Sequence, residues 1–236
     1  AWRGWMVSAV GGVTGTAPAA AGANALNGWW ERHRDCLMTR TAGRPLPTGR
    51  MFPATAFLVG VGLSLAGVIV LALACNLAAA AVSLATVLIY VLVYTPMKVY
   101  TPLATLVGAV PGALPPLIGW CAALTVGTAR GVSVGAEEAV SSWAGLATLG
   151  GWSLFVLMFV WQIPHFLAIA WMYKDDYAKG GHAVLPVFDP TGARTAAAVV
   201  TGALFLIPAT ILPVFAVPDR LGVAYGAVAA ISEAKA

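Results

Sequence analysis

Read for polarity alone, the chain is a series of long uncharged stretches separated by short charged ones. Residues 5–30, 51–97, 99–129, 139–173, 195–218 and 221–232 contain no Asp, Glu, Lys or Arg. A helix that crosses the hydrocarbon core of a bilayer needs about 20 predominantly apolar residues. The stretch 51–97 is long enough for two such helices, and Cys75-Asn76 divides it into 52–73 and 77–95. Adding 5–30, 103–124, 143–171 and 195–217, the pattern predicts six full spans, with 221–232 as part of a seventh. The short alternating strands of an outer-membrane barrel are missing from the pattern. The fold class is therefore all-α, a polytopic transmembrane helix bundle, read as a single domain over 1–236.

Composition sharpens this. Of 236 residues, 60% are hydrophobic and 9% charged, with a mean hydropathy of +0.85. An ordinary soluble domain carries roughly 25% charged residues. A soluble globular enzyme, a disordered chain and a secreted disulfide scaffold are excluded. Cys36, Cys75 and Cys121 form no CxxC pair, so a disulfide framework or zinc site is not expected. The predicted spans put the connections 31–50, 96–102 and 172–194 and the C-terminal tail on one side. That side holds ten of the thirteen basic residues. The positive-inside rule makes it cytoplasmic in a bacterial inner membrane, or matrix-facing in a mitochondrion, the bacterial case being preferred. The chain starts without Met and stops just after a short apolar run, and it reads as truncated at both ends.

The remaining charge carries the candidate chemistry. Asn27, Glu31 and Asp35 fall at i, i+4 and i+8, on one helix face, where an apolar helix reaches its basic end. Carboxylates of this kind suit Mg²⁺, which usually takes one or two of them plus substrate phosphates. Arg40 and Arg44 follow, and guanidinium groups pair well with phosphate oxygens. Alternatively, the whole region is a solvated, salt-bridged loop. The segment YTPMKVYTP (94–102) holds one charge, Lys98, which reads either as a snorkelling anchor or as a site residue. The run PGALPP (111–116) predicts a kinked or broken helix, tolerated at membrane depth where it lines a cavity. In WQIPHFLAIAWMYKDDYAKGGH (161–182), His165 lies inside a span, as an interhelical hydrogen-bonding group or as a cavity-facing ligand or proton donor. Lys174, Asp175, Asp176 and Tyr177 sit at the basic end of the same helix. Two acidic clusters and several cations on one face of an apolar bundle point to an intramembrane enzyme acting on a lipid diphosphate.

These residues match a known pattern. Asn27, Glu31 and Asp35, followed by Met38, Arg40, Thr41, Arg44, Pro45 and Leu46, resemble the first motif of the UbiA superfamily of intramembrane prenyltransferases. The blocks Tyr94–Lys98, Thr105–Trp120 and Trp161–Phe166, with Asp176-Tyr177, are similar to its haem-prenylating branch. The resemblance implies a bundle of about nine helices, of which about seven are present here. It implies transfer of a farnesyl group from farnesyl diphosphate to a vinyl group of haem B, giving haem O and diphosphate. It also implies Mg²⁺ as cofactor and links to haem A synthase or terminal oxidase assembly. Asn27, Glu31 and Asp35 would hold one Mg²⁺–diphosphate site, and Asp176 with Asp175 a second. Lys98, Arg40, Arg44 and Lys174 would contact diphosphate, and His165 would act on the haem side. Val99 stands where an Arg is common and Ala104 where an Asn is common, which removes one expected cation. Other readings are a prenyltransferase with a quinone or chlorophyll precursor as acceptor, a multi-helix transporter, and a non-catalytic fragment.

Overall fold

The computed structural model describes residues 2–128 and 143–216. Every long element is helical: α1 (Trp2–Asp35), α2 (Pro53–Ala74), α3 (Leu77–Leu88), α4 (Thr95–Met97), α5 (Ala104–Thr128), α6 (Leu149–Met172), α7 (Lys174–Lys179) and α8 (Ala193–Ala216). A π-helical turn, Ile89–Tyr94, joins α3 to α4 into one continuous span. Among the described residues, five spans are long and apolar enough to cross a bilayer: Pro53–Ala74, Leu77–Met97, Ala104–Ala123, Leu149–Met172 and Ala193–Ala216. The sixth expected span, 5–30, lies within α1, whose Gly, Ala, Thr and Asn content leaves it less hydrophobic than the others. The expected partial span 221–232 lies outside the described residues, as do the charged residues Arg130, Glu137, Glu138 and Arg220.

At about 1.5 Å per residue, the 34 residues of α1 measure about 51 Å, well beyond the roughly 30 Å hydrocarbon core. Its buried positions follow one stripe: Ser8, Gly11, Gly15, Ala19, Gly22, Ala23, Leu26, Asn27, Glu31 and Asp35. The upper part of the stripe is small because α2 packs against it antiparallel. A Cβ on Gly67 would sit 2.6 Å from Ala19 N, and one on Gly15 2.6 Å from Leu71 Cγ. Small residues at such seams let helix backbones approach closely where the surrounding lipid offers no hydrophobic driving force. Gly67→Val is expected to lower the unfolding midpoint in detergent by several degrees, while Gly62→Val, which meets open space, is expected to leave it unchanged.

The break between α2 and α3 falls at the expected place. Asn76 caps α3 by accepting from Ala79 N–H (2.8 Å) and donates to the Cys121 carbonyl of α5 (2.7 Å). The prolines of α5 do not break it: Pro111, Pro115 and Pro116 all lie inside a continuous helix, so of the expected kink or break the break does not occur. Pro116 has no N–H to give the carbonyl of Gly112. At Gly112 the buried Gln162 amide of α6 lies so close that a Cβ would fall 2.6 Å from its Cδ. The two motif blocks PGALPP and WQIPHF thus meet there. Tyr94 packs on Gly108 in the same way, one turn earlier on α5.

α1 contacts α2, α3 and α5, α6 joins through α5, and α8 packs on α6. This order brings the connections 36–52, 98–103 and 173–192 to one end of the bundle. The Ala183 N–H donates to the Lys98 carbonyl (2.6 Å), and Arg34 Nη1 donates to the Gly180 carbonyl (3.2 Å). Asp189 organises the start of α8, accepting from Thr195 N–H at 2.7 Å and Thr195 Oγ1 at 2.8 Å. These hydrogen bonds, led by the Thr195 amide, hold its carboxyl below the usual range.

Candidate functional site

The lower part of the α1 stripe opens onto a cavity of about 210 Å³ between the inner ends of the helices. Asn27, Glu31, Asp35, Arg40, Arg44 and Lys98 all line it, so six of the sequence-selected residues share one site. A second recess of about 570 Å³ lies along α1 and shares Asn27, Asp35, Arg44 and Tyr90 with the first.

The acidic and basic groups are interlocked. Asn27 Nδ2 donates to Glu31 Oε2 (2.9 Å), and its Oδ1 accepts from Thr95 Oγ1 (2.9 Å) and Lys98 Nζ (3.0 Å). Lys98 Nζ also donates to Glu31 Oε2 (3.2 Å) and lies 3.1 Å from Oε1. Its ammonium sits 4.5 Å from the centre of the Tyr94 ring. Burial pushes the Lys98 ammonium below the usual lysine range, and Glu31 opposes that shift. Arg44 Nη1 pairs with Asp35 Oδ2 at 2.8 Å, and Thr41 Oγ1 donates to the Asp35 carbonyl at 3.0 Å.

Two carboxylate oxygens are left over. Glu31 Oε1 and Asp35 Oδ1 are buried and accept no hydrogen bond, Glu31 Oε1 being near the Lys98 ammonium without hydrogen-bond geometry. Orphaned buried acceptors are costly and mark places where a ligand completes the set. Among the described residues no group of three or more His, Cys, Asp or Glu side chains could hold a metal alone. Two carboxylates with open oxygens, one turn apart, fit Mg²⁺ in its common form, in which substrate phosphates and water complete the octahedron.

Other sequence-selected residues stand elsewhere. Asp176 uses both oxygens on the backbone of the 36–52 connection, accepting from Thr39 N–H (3.1 Å) and Arg40 N–H (2.9 Å). The Arg40 amide, then the Thr39 groups and Lys179, hold its carboxyl below the usual range. A depressed value means the tether is complete above the ordinary carboxylate range and is lost as pH falls through the lowered value. Asp176→Ala is therefore expected to expose the bond after Arg40 to trypsin, with digestion several-fold faster at neutral pH. Asp175 is exposed, and Lys174 lies 4.4 Å from the Trp171 ring centre, neither lining the cavity. His165 is accessible, stacked on Trp161 at 4.6 Å, and does not line the cavity either.

The sequence reading passed over Tyr90, Tyr94, Thr95 and His182. Tyr90, Tyr94 and Lys98 share the i, i+4, i+8 spacing that singled out the α1 triad, which was the available signal. The π turn directs these residues toward α1, and such turns are frequent at functional sites. Arg40 is held over the site by Tyr173 and Tyr177, at 5.3 and 5.4 Å from the ring centres, and donates to Tyr177 Oη at 3.2 Å.

Fold and site together define an all-α polytopic membrane protein with a cavity lined by carboxylates and cations at one end of its bundle. The chain belongs to the UbiA prenyltransferase family, which it matches over residues 1–234. It is 44% identical to the protoheme IX farnesyltransferase of Solibacter usitatus over 201 residues, 85% of this chain and 62% of the relative. It is 42% identical to that of Myxococcus xanthus, over 88% of this chain and 63% of the relative. The protein of the same name from Salinibacter ruber is 42% identical over 91% of this chain and 68% of the relative. The chain thus spans a little under two thirds of the length of the first two curated relatives. No solved structure matches it.

Proposed function

We propose that the protein containing this chain transfers a farnesyl group from farnesyl diphosphate to a vinyl group of haem B, giving haem O and diphosphate. The observation that carries the reading is the cavity itself: Lys98, Arg40 and Arg44 stand beside two carboxylates with open oxygens, at the end of an apolar bundle. The names of the relatives supply the acceptor. Asn27, Glu31 and Asp35 would hold Mg²⁺, which when bound neutralises charge growing on the departing diphosphate. Lys98 and Arg40 meet the diphosphate oxygens directly, and Arg44 does so while its contact with Asp35 orients that carboxylate. Phe166, Ile169 and Val184, on the same wall, offer apolar surface to the first isoprene units.

In the transfer, the bond from farnesyl C1 to diphosphate oxygen breaks and a bond from C1 to the terminal vinyl carbon forms. Water then adds to the inner vinyl carbon, losing a proton and leaving the hydroxyl of haem O. Tyr90 and Tyr94 present ring faces beside the point of departure, where positive charge develops. The product would serve haem A synthase or terminal oxidase assembly. The basic connections favour a cytoplasmic site in a bacterial inner membrane.

Membranes carrying the protein, supplied with farnesyl diphosphate and either haem B or 4-hydroxybenzoate, test the reading. Haem O is expected by mass spectrometry. A prenylated benzoate with no haem O would move the protein to a quinone branch, and a reaction indifferent to chelation of Mg²⁺ would remove the metal from it.

A further inference from the structure

His182 belongs to none of the motifs that mark the site, yet it lines the cavity. It is 4% exposed, and its Nδ1 is buried without a hydrogen-bond partner. Its neighbour Ala183 donates its N–H to the Lys98 carbonyl, which anchors the backbone next to His182, and the His182 and Lys98 side chains line the same cavity. Tyr177 meets it edge-on at 5.7 Å and 85°. A buried imidazole with an unused nitrogen, lining a cavity among cations, has a polar partner missing.

We propose that His182 is a further diphosphate-binding residue, hydrogen-bonded to a phosphate oxygen and charged by proton uptake as that anion arrives. This rests on the diphosphate reading of the cavity and extends it. The groups facing the imidazole are Lys98 at the end of α4, Arg34 and Asp35 of α1, Arg40 of the following connection, and Tyr177 of α7. Burial, then Lys98 and Arg34, lower its pKa to about 4, with Asp35 opposing, so the empty site holds a neutral ring at pH 7. Bound diphosphate reverses the sign of the local field. Between about 4 and the raised value of the complex, binding takes up a proton, and affinity rises as pH falls. The chemistry applies equally to free diphosphate and to the head of a prenyl diphosphate.

The chain contains three histidines, and the other two, His33 and His165, lie outside the cavity. Wild-type protein labelled with ¹⁵N-histidine is titrated with inorganic diphosphate and Mg²⁺ at pH 6. One neutral imidazole is expected to move to the imidazolium pattern, and that signal is expected to be the one missing from His182→Gln. Calorimetry at pH 7 and pH 5 gives the second measurement. The ratio of wild-type to His182→Gln affinity is expected to grow by about tenfold over that interval, since one linked proton changes affinity at most tenfold per pH unit. His182→Phe, which keeps the ring shape, is expected to behave as His182→Gln. A histidine that stays neutral in the diphosphate complex, or an affinity ratio that does not change with pH, overturns the proposal. Absence of binding by wild type and variants alike overturns the diphosphate reading itself. Where His182→Gln fails to fold, His182→Phe supplies the assignment of the wild-type signal.

Discussion

Asp35→Ala is expected to reduce farnesyl transfer by at least about a hundredfold, the scale of losing one preorganised electrostatic contact to a departing anion, while the bundle stays folded. The two halves of this expectation have separate causes. Asp35 is 1% exposed and offers one open oxygen to the cavity, so its removal deletes a ligand for which no neighbour substitutes. Its partner Arg44 has a side chain that is 45% exposed, so the guanidinium left behind is solvated and the cost in stability is small. Asp35→Asn keeps the shape and the Arg44 contact in weakened form, and it is expected to lose nearly as much activity. Initial rates with saturating farnesyl diphosphate, beside a detergent melting curve, check both halves. Retained activity in either variant would remove Asp35 from the site.

Lys98 is expected to behave differently. Its side chain is 15% exposed and that of Glu31 7%, so neither charge has water to fall back on. Lys98→Met leaves Glu31 buried with only the Asn27 amide as donor. Removing one partner of a buried pair typically costs about 3–5 kcal/mol, and both folding and transfer are expected to fail together. Adding Glu31→Gln removes the orphaned charge. The double variant is expected to regain most of the melting temperature but none of the activity. That cycle separates the structural role of the pair from its role toward diphosphate. If the single variant melts like the wild type, the pair is not buried as described.

The parts of this site visible in the sequence were those that follow from helical periodicity. Asn27, Glu31 and Asp35 could be placed on one face because a step of four residues nearly closes a turn, and no tertiary information is needed for that. The spans and the break at Asn76 were legible for a similar reason, being written in uninterrupted apolar length and one polar cap. What lies on the other side of a helix was not. His165 lies inside the span of α6, and His182 follows it in the connection at the basic end of the bundle. Which one enters the cavity depends on how α6 rotates against α5 and how the chain returns after Gly180 and Gly181. Gly181 adopts φ +67°, a left-handed turn that brings His182 back toward Lys98. Asp176 was read as a metal ligand because acidic pairs and metals go together. Its use as a clamp on Thr39 and Arg40 depends on a contact 137 residues distant in sequence. The prolines of α5 predict a kink or a break, and the helix runs on through them without a break. Gly112 is the place where the Gln162 amide can come close enough to face the backbone that Pro116 leaves without its helical N–H.

The stripe on α1 has one more consequence. The same face of a single unbroken helix carries the glycines that set its spacing from α2 and the carboxylates that face the cavity. α1 therefore acts as a ruler. Sliding it by one residue moves Glu31 and Asp35 by about 1.5 Å along the axis and about 100° around it. Either displacement takes Glu31 away from Lys98. Substitutions at Gly15 or Gly22, far from any substrate, should accordingly be inherited as losses of turnover, and their second-site revertants should be found on α2, opposite the damaged notch.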